Sequence, residues 1–392
     1  MIVPGVGPDV RSPAGALAHW LWRPAAVVAL VYALLLLWYA WHHGYGPIDF
    51  VHVGTVFSES DPEGGWGYDG QFYYYVAVAP DPWAAIPYLD NPTYRLRRIV
   101  YPLVARTAAL GDPAAVPLAM LLVNVGAVVV ATELLAGLLA RSGVSRWYSL
   151  GYGVPFGQLA SVAHQLADPL GSAFIVAGLW SIARGRIGWG AAAFGVAALT
   201  RDSLALVPLG YLVGYALRRR WRPTLCIAAF ALLPLGLWTA ALELAFRGAY
   251  DVGVTWTPIV EPVPLQGTLR VLRATPSYAA TILLFLLPTW VVALVAARDA
   301  WRWWCARGTG SAAPPAAWWG WIAPAALLVM LAAEQVIDFL VPARLAIGVS
   351  TTTAAYAACT RSTAARRLST YFGSTGLLYP PMVFLEVSSV IP

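Results

Sequence analysis

Residues 24–43, PAAVVALVYALLLLWYAWHH, form an apolar run that contains no Asp, Glu, Lys or Arg. A helix of this length spans about 30 Å, the thickness of the hydrocarbon core of a bilayer. Similar runs recur along the chain, which is 59% hydrophobic and only 11% charged, whereas about 25% of the residues of soluble domains are charged. The sequence therefore predicts an all-α integral membrane protein.

The apolar runs predict a single membrane domain, residues 1–392, with about ten transmembrane helices. The first run (24–43) is followed by a longer, less apolar loop (44–112), the rest of the bundle (113–358) and a tail (359–392). The predicted spans after the first are roughly 113–140, 147–163, 166–183, 187–200, 203–217, 224–246, 277–297, 315–333 and 336–358.

Arginines set the predicted orientation. Arginine clusters follow every second span, and positive charge in short loops favours the cytoplasmic side, so both termini are expected to be cytoplasmic. The net charge of +6 is explained by these loops, and no nucleic-acid partner is expected. Most acidic residues fall in the opposite, external loops, including Asp49, Glu59, Asp61, Glu63, Asp69, Asp81, Asp90, Asp112, Asp168, Asp202, Glu243, Asp251 and Glu261.

The sequence of the first external loop predicts two short amphipathic helices at the membrane surface, Gly70–Ala79 and Thr93–Leu110. In the second, Tyr94, Arg98 and Tyr101 are spaced to share one face. The loop also contains GWGYDGQFYYYVAVAPDP at 65–82, in which Asp69 lies among aromatics and glycines.

Asp69 has two interpretations. A carboxylate can act as a general base for a hydroxyl nucleophile. Flat apolar faces of the kind that pack against sugar rings are offered by Trp66, Tyr68, Phe72 and Tyr73. Alternatively, Asp69 caps the helix that starts at Gly70, and the aromatics form an interfacial belt.

Several arginines lie on the external side of the membrane, where the positive-inside rule does not explain their presence. A guanidinium binds phosphate through two parallel hydrogen bonds, and an arginine within a span is a functional candidate. The structural alternative is ion pairing of Arg201 with Asp202 and of Arg344 with Asp338, and contact of the loop arginines with lipid phosphates. The arginines concerned are Arg95, Arg97, Arg98 and Arg106 in the loop, Arg201 at an external helix end and Arg344 in the tenth span.

Other candidate groups are weaker. Asp168 fits an N-cap with Pro169 at the first helical position. His42, His43 and His52 lack helical ligand spacing, so a metal site is not expected. The three cysteines are far apart, and no nucleotide-binding, hydrolase or zincin motif occurs.

Several motifs resemble GT-C membrane glycosyltransferases, especially the GPI-mannosyltransferase-like and related bacterial enzymes. YDGQFYYYVA (68–77) is similar to their W-D-G-x-W-Y-x-x-I-A region, with Tyr68 in place of the usual tryptophan. YRLRRIVYPLVA (94–105), ADPLGSAFIVAGLW (167–180), LTRDSLALVPLGYLV (199–213) and VPARLAIGV (341–349) resemble later segments of that group. The resemblance covers about a quarter of the chain.

The resemblance implies a GT-C-like helical bundle in the bacterial inner membrane with an extracytoplasmic active site. It implies transfer of a sugar, with inversion, from a polyprenyl-phosphate donor to a hydroxyl of a glycan or lipid acceptor, without a metal or other cofactor, since no DxD-like pair is present. Asp69 would be the catalytic base, and Arg97, Arg98, Arg201 and Arg344 would hold the donor phosphate. The acceptor side would include Trp66, Tyr68, Gln71, Tyr73, Asp168 and Asp202.

Two functions from other classes fit the same scaffold. In one alternative, the chain is a non-catalytic membrane subunit with protein partners; this alternative stays open because fold alone does not determine function. In the other it is a flippase or transporter for a lipid-linked sugar. A transporter usually places its polar groups at the midplane of the membrane, whereas these residues gather at one face, which favours the enzyme.

Overall fold

A computed structural model describes residues 23–246, 260–305, 316–331, 333, 336 and 340–384. The described residues are helical, without a β-strand, and one isolated bridge joins Val260 to Leu331. Four helical segments are long and apolar enough to cross a membrane, namely Pro24–His42, Pro113–Arg141, Trp221–Ala245 and Pro276–Trp303. The chain is therefore a helical membrane protein, as the composition predicts.

The first half of the chain supplies ten helices in the described residues. The loop after α1 carries three short helices and α5, and α6 is the longest helix. Their bounds are α1 Pro24–His42, α2 Thr55–Ser58, α3 Gly70–Val78, α4 Pro92–Leu96, α5 Val100–Ala108, α6 Val116–Arg141, α7 Leu150–Gly153, α8 Phe156–Ala163, α9 Asp168–Ala183 and α10 Ile187–Thr200.

The described residues of the second half continue the bundle with ten more helices, two of which follow π-helical turns at Ala228–Leu232 and Ile282–Leu286. Their bounds are α11 Leu206–Leu217, α12 Trp221–Ile227, α13 Leu233–Ala245, α14 Gln266–Ala274, α15 Ala279–Thr281, α16 Leu287–Cys305, α17 Ala316–Val329, α18 Leu340–Thr360, α19 Thr363–Thr375 and α20 Tyr379–Phe384.

Helix α18 lies inside the bundle and positions the central side chain of the site. Every residue from Ala346 to Ala358 is buried, and the helix packs against α6, α8, α9, α17 and α19. Small side chains allow this approach: a Cβ at Gly157 of α8 would lie 2.0 Å from the Ala343 carbonyl oxygen. Arg344 is thus carried into the interior near the first turn of α18.

Within the described residues, helices lie in the predicted spans, but four segments rather than ten are long and apolar enough to cross a membrane. Two predicted helices also differ from the structure. The run 147–163 is not one helix but a 3-10 turn followed by α7 and α8, interrupted between Gly153 and Phe156, where Pro155 lies. The single helix predicted for Thr93–Leu110 is wrong, because α4 ends at Leu96 and α5 begins at Val100. The turn between them redirects Arg97 and Arg98 toward the bundle.

The described part of the tail packs on the helices of the bundle, and its cytoplasmic location stays a prediction. Helix α19 packs back along α18 and α7, and Thr375 Oγ1 accepts from the Phe156 amide at 3.1 Å. Tyr379 is fully buried, its ring 5.2 Å from that of Phe156 and its hydroxyl 3.1 Å from that of Tyr39 near the end of α1.

Candidate functional site

The segment before α3 is folded onto itself by backbone contacts that only glycine allows. Tyr68 donates its amide to the His52 carbonyl oxygen at 2.9 Å. Gly67 has φ +64°, and a Cβ there would lie 2.4 Å from the same oxygen. A Cβ at Gly70 would lie 2.4 Å from the carbonyl oxygen of His164. These approaches fix Asp69, between Tyr68 and Gly70, against the end of α8.

Asp69 occupies the N-cap position of α3, but its carboxylate does not cap the helix. Oδ1 accepts from Arg95 Nη1 at 2.8 Å, and Oδ2 accepts from Arg344 Nη1 at 3.1 Å. The side chain keeps 26% of its surface exposed. The capping interpretation of the sequence is therefore wrong, and the carboxylate is held by two arginines while remaining reachable from outside.

The two arginines shift the acid strength of Asp69. Burial raises the pKa of the carboxyl, but the positive charges of Arg95 and Arg344, helped by Arg98 and Arg201, outweigh burial and hold the pKa well below its usual range. Asp69 is ionised in this arrangement. It becomes a stronger base only when one of its arginine partners turns away.

Arg344 connects Asp69 to Asp168 in the interior. Its Nη2 lies 3.3 Å from Asp168 Oδ2, and its Nη1 lies 3.3 Å from the Tyr68 hydroxyl. Asp168 is the first residue of α9, with Ala167 at the N-cap position, so its predicted capping role is also wrong. Asp168 instead lies between Arg344 and Arg201, whose Nε is 3.2 Å from Asp168 Oδ1.

A second group of ion pairs surrounds Asp202 at the start of the 3-10 turn before α11. Arg98 Nε donates to Asp202 Oδ1 at 3.2 Å, and Arg97 Nη1 lies 3.8 Å from Asp202 Oδ2. Arg97 also approaches the exposed Glu243 at 3.8 Å. The pairing of Arg201 with Asp202, considered from the sequence, does not form. Asp338, considered as the partner of Arg344, lies outside the described residues.

The structure brings most of the predicted site residues into one place. Arg98 Nη1 donates to the Tyr73 hydroxyl at 3.3 Å, and its Nη2 donates to the Tyr94 hydroxyl. Trp66 is 68% exposed, with its indole beside Phe57. Gln71 is turned inward: it accepts from the Gly54 amide at 3.0 Å and donates to the Trp66 carbonyl oxygen at 2.7 Å. It therefore orders the loop around Asp69.

Two residues of the site have no role assigned from the sequence: Arg95, which the sequence groups with the other loop arginines, and His164. Arg95 is bidentate to Asp90, with both distances 2.7 Å, and its guanidinium lies over the Phe72 ring. His164 is buried, with its ring 4.8 Å from Tyr68 and 4.6 Å from His52. The Asn-Pro start of α4 indicates a helix that would turn Arg95 toward Asp90, but no sequence pattern indicates the contact between the rings of His164 and Tyr68.

Two buried arginines keep unpaired N–H groups within the described part of the chain. Arg201, with 9% of its side chain exposed, has no hydrogen-bond partner at Nη1, and its Nε is too poorly aligned to bond Asp168. Arg344 has none at Nε. An unsatisfied buried donor costs about 1–3 kcal/mol and more when charged. A ligand with anionic oxygens would satisfy these donors.

The inner part of the site is closed. The crevice between Asp168, Ser203, Arg344 and Gly348 has a volume of about 10 Å³, which is room for a single water. The outer part is more open, since Asp69, Arg97 and Glu243 are partly exposed. A large ligand must therefore enter from the Asp69 side and displace existing ion pairs. No family model, curated protein or solved structure matches this chain.

Proposed function

We propose that the protein is a GT-C-like membrane glycosyltransferase. It transfers a sugar, with inversion and without a metal, from a polyprenyl-phosphate donor to an acceptor hydroxyl on the extracytoplasmic face. The main support for the proposal is the contact of Asp69 with Arg344, which lies beside the unpaired N–H donors of Arg201 and Arg344. A partly exposed carboxylate and buried guanidinium groups with unpaired donors thus lie within one network.

The proposed reaction forms one bond and breaks one. The acceptor oxygen attacks the anomeric carbon, the bond from that carbon to the donor phosphate oxygen breaks, and the acceptor proton moves to Asp69. The departing lipid phosphate gains one negative charge. Arginines that face this phosphate stabilise the developing charge, which is the usual source of rate enhancement in such sites.

The donor itself would activate Asp69. In the resting network the described ion pairs use five arginines and five acids, so charge is balanced without a substrate. A donor phosphate competes with Asp69 for Arg344 and offers a partner to Arg201. Loss of the Arg344 contact raises the pKa of Asp69 from its lowered value, and the base becomes competent only when the donor is bound.

The outer aromatics would bind the sugars. Trp66 presents an exposed ring beside the entrance, and Tyr68 lies between Arg344 and the loop. Aromatic faces pack well against the apolar faces of sugar rings. The long apolar helices provide a bilayer-facing surface for the polyprenyl chain, and the proposed location is the bacterial inner membrane.

The deciding experiment is transfer by purified protein from polyprenyl-phosphate sugars, comparing wild type with Asp69→Asn. A general base contributes about 10²–10⁴-fold, so the variant should lose at least a hundredfold in rate while still binding the donor. Asp90→Asn is the matched control, because Asp90 shares Arg95 with Asp69 but is not assigned the base. Unchanged transfer by Asp69→Asn would exclude Asp69 as base, and no transfer by wild type would favour a subunit role.

A further inference from the structure

Two cavities share a wall at the end of the bundle away from Asp69. A polar cavity of about 590 Å³ includes Arg298, Arg302 and Tyr356 in its lining. An apolar groove of about 560 Å³ runs between α16 and α19. Arg298, Thr363 and Ala364 line both. Thr360, which also lines the polar cavity, is 16 residues along α18 from Arg344 (360 − 344), a helical distance of roughly 24 Å.

The polar cavity has more positive than negative charge. Arg298 pairs with Asp299 at 2.9 Å, and Asp299 also accepts from the Tyr356 hydroxyl at 3.0 Å. Arg302 adds a second positive charge to the lining. The N-terminal end of α19, a 13-residue helix capped by Ser362, also faces the cavity and carries partial positive charge. The lining is therefore suited to an anion.

The groove is lined mostly by apolar side chains, with Arg298 and Arg367 among its lining residues. Leu287, Val291 and Leu368 line the groove, and the side chains of Leu287 and Val291 are exposed on the protein surface. At the inner end the Tyr371 hydroxyl donates to the Leu284 carbonyl oxygen at 3.0 Å, which joins α19 to the helix opposite. The groove thus runs from the charged cavity toward Tyr371 between α16 and α19.

We propose that this joined cavity binds one anionic phospholipid of the adjacent leaflet. Its phosphate lies between Arg298 and Arg302, and one acyl chain lies in the groove toward Tyr371. A guanidinium pair recognises phosphate oxygens, and the groove matches a hydrocarbon chain. A zwitterionic lipid would bring a cation to a lining that already has excess positive charge, so the charge favours an anionic headgroup. This site is independent of Asp69 and of the glycosyltransferase proposal.

The test is the shift in Tm of delipidated protein in detergent when phosphatidylglycerol or phosphatidylcholine is added. Wild type should be stabilised by phosphatidylglycerol and much less by phosphatidylcholine. The double variant Arg298→Gln/Arg302→Gln should weaken apparent binding of phosphatidylglycerol about thirtyfold, since each basic residue at a membrane surface contributes about 1 kcal/mol. Val291→Trp, which fills the groove and keeps all charges, should also reduce the shift.

A matched control removes two exposed arginines elsewhere, Arg186→Gln/Arg222→Gln. This control should respond to phosphatidylglycerol as wild type does. Equal stabilisation by both lipids, or equal loss in the control variant, would overturn the proposal. The same shift produced by inorganic phosphate would reduce the site to a simple anion site and also overturn it. Retained size-exclusion profiles and helical circular dichroism show that the variants are folded.

Discussion

Arg344 of α18 donates to Asp69 of the first loop at 3.1 Å, although 275 residues separate them in the sequence. Arg344 is 3% exposed, and its other terminal nitrogen reaches Asp168 at the start of α9. One guanidinium thus ties a surface loop to two helices of the bundle. The same contact lowers the basicity of Asp69, so architecture and proposed chemistry depend on a single side chain.

Replacing Arg344 with glutamine should destabilise the protein by about 3–5 kcal/mol, because two carboxylates would lose their buried partner. Adding Asp168→Asn removes one of the abandoned charges, so the double variant should be less destabilised than the sum of the single variants. The measurement is denaturant unfolding in detergent as a double-mutant cycle, with exposed Arg186→Gln as the control. Strict additivity would contradict the coupling of Arg344 to Asp168.

Replacing Arg201 with glutamine should affect transfer more than stability. Its contact with Asp168 is poorly aligned, and Nη1 has no partner within the described residues. If Arg201 binds the donor phosphate, losing a charged hydrogen bond of about 1.5–3 kcal/mol lowers kcat/KM roughly tenfold to a hundredfold. Steady-state transfer kinetics test this. Arg270→Gln, an exposed arginine paired with Glu261, serves as the control and should leave kcat/KM unchanged.

Gly70→Ala should disturb Asp69 without changing a polar group. The added methyl would meet the His164 carbonyl oxygen at 2.4 Å and the Val51 carbonyl oxygen at 3.0 Å, so the backbone must move. Overpacking of this kind costs about 1–3 kcal/mol. Gly65→Ala is the control, since nothing lies within 4 Å of its Cβ. Thermal unfolding should separate the two variants, and equal Tm values would show that the loop is looser than described.

Stability should fall with acidification below pH 6.5, because burial lowers the pKa of His52 to about 4. The unfolded state, with a His pKa near 6.5, binds the proton first. Stability is therefore full above pH 6.5, decreases as pH falls toward 4 and then levels off. Asp49 and His164 are the charged and titratable neighbours of His52. Thermal unfolding from pH 7.5 to 4.5 should show a smaller fall in His52→Gln than in wild type or in His42→Gln.

The sequence predicts the apolar helices well because a long uncharged run has few alternatives in a bilayer. The helices Pro24–His42 and Ile187–Thr200 match the bounds of two predicted spans within one residue, although Ile187–Thr200 is shorter than the segments that could cross a membrane. Partners across long sequence separations are not encoded in any local pattern. Asp168 has the position of a helix cap in the sequence, and only the packing of α9 against α18 shows that it pairs with Arg344. Arg201 was matched to its sequence neighbour for the same reason.

The tail shows the limit of judging a segment by hydropathy. Residues 363–375 are too polar to be predicted as a span, yet α19 packs on α18 and α7. Small residues allow this close packing, since a Cβ at Gly151 would lie 2.2 Å from the Ser369 carbonyl oxygen. Its hydroxyls bond backbone carbonyls, as Ser369 does with Tyr148 at 2.7 Å. A segment shielded by neighbouring helices does not need to be apolar on every face.

Tyr379 should therefore be a stability determinant, although it lies in the segment that the sequence predicts to be a tail. Tyr379→Ala removes a fully buried ring packed on Phe156 and should cost about 3–5 kcal/mol. Tyr379→Phe keeps the ring and loses only the hydroxyl contact with Tyr39, so it should cost about 0.5–1.5 kcal/mol. Leu377→Ala, at a side chain 77% exposed, is the control. If Tyr379→Ala unfolds at the same denaturant concentration as Leu377→Ala, the C-terminal segment is not part of the core, and the position of α20 beside Tyr39 must be abandoned.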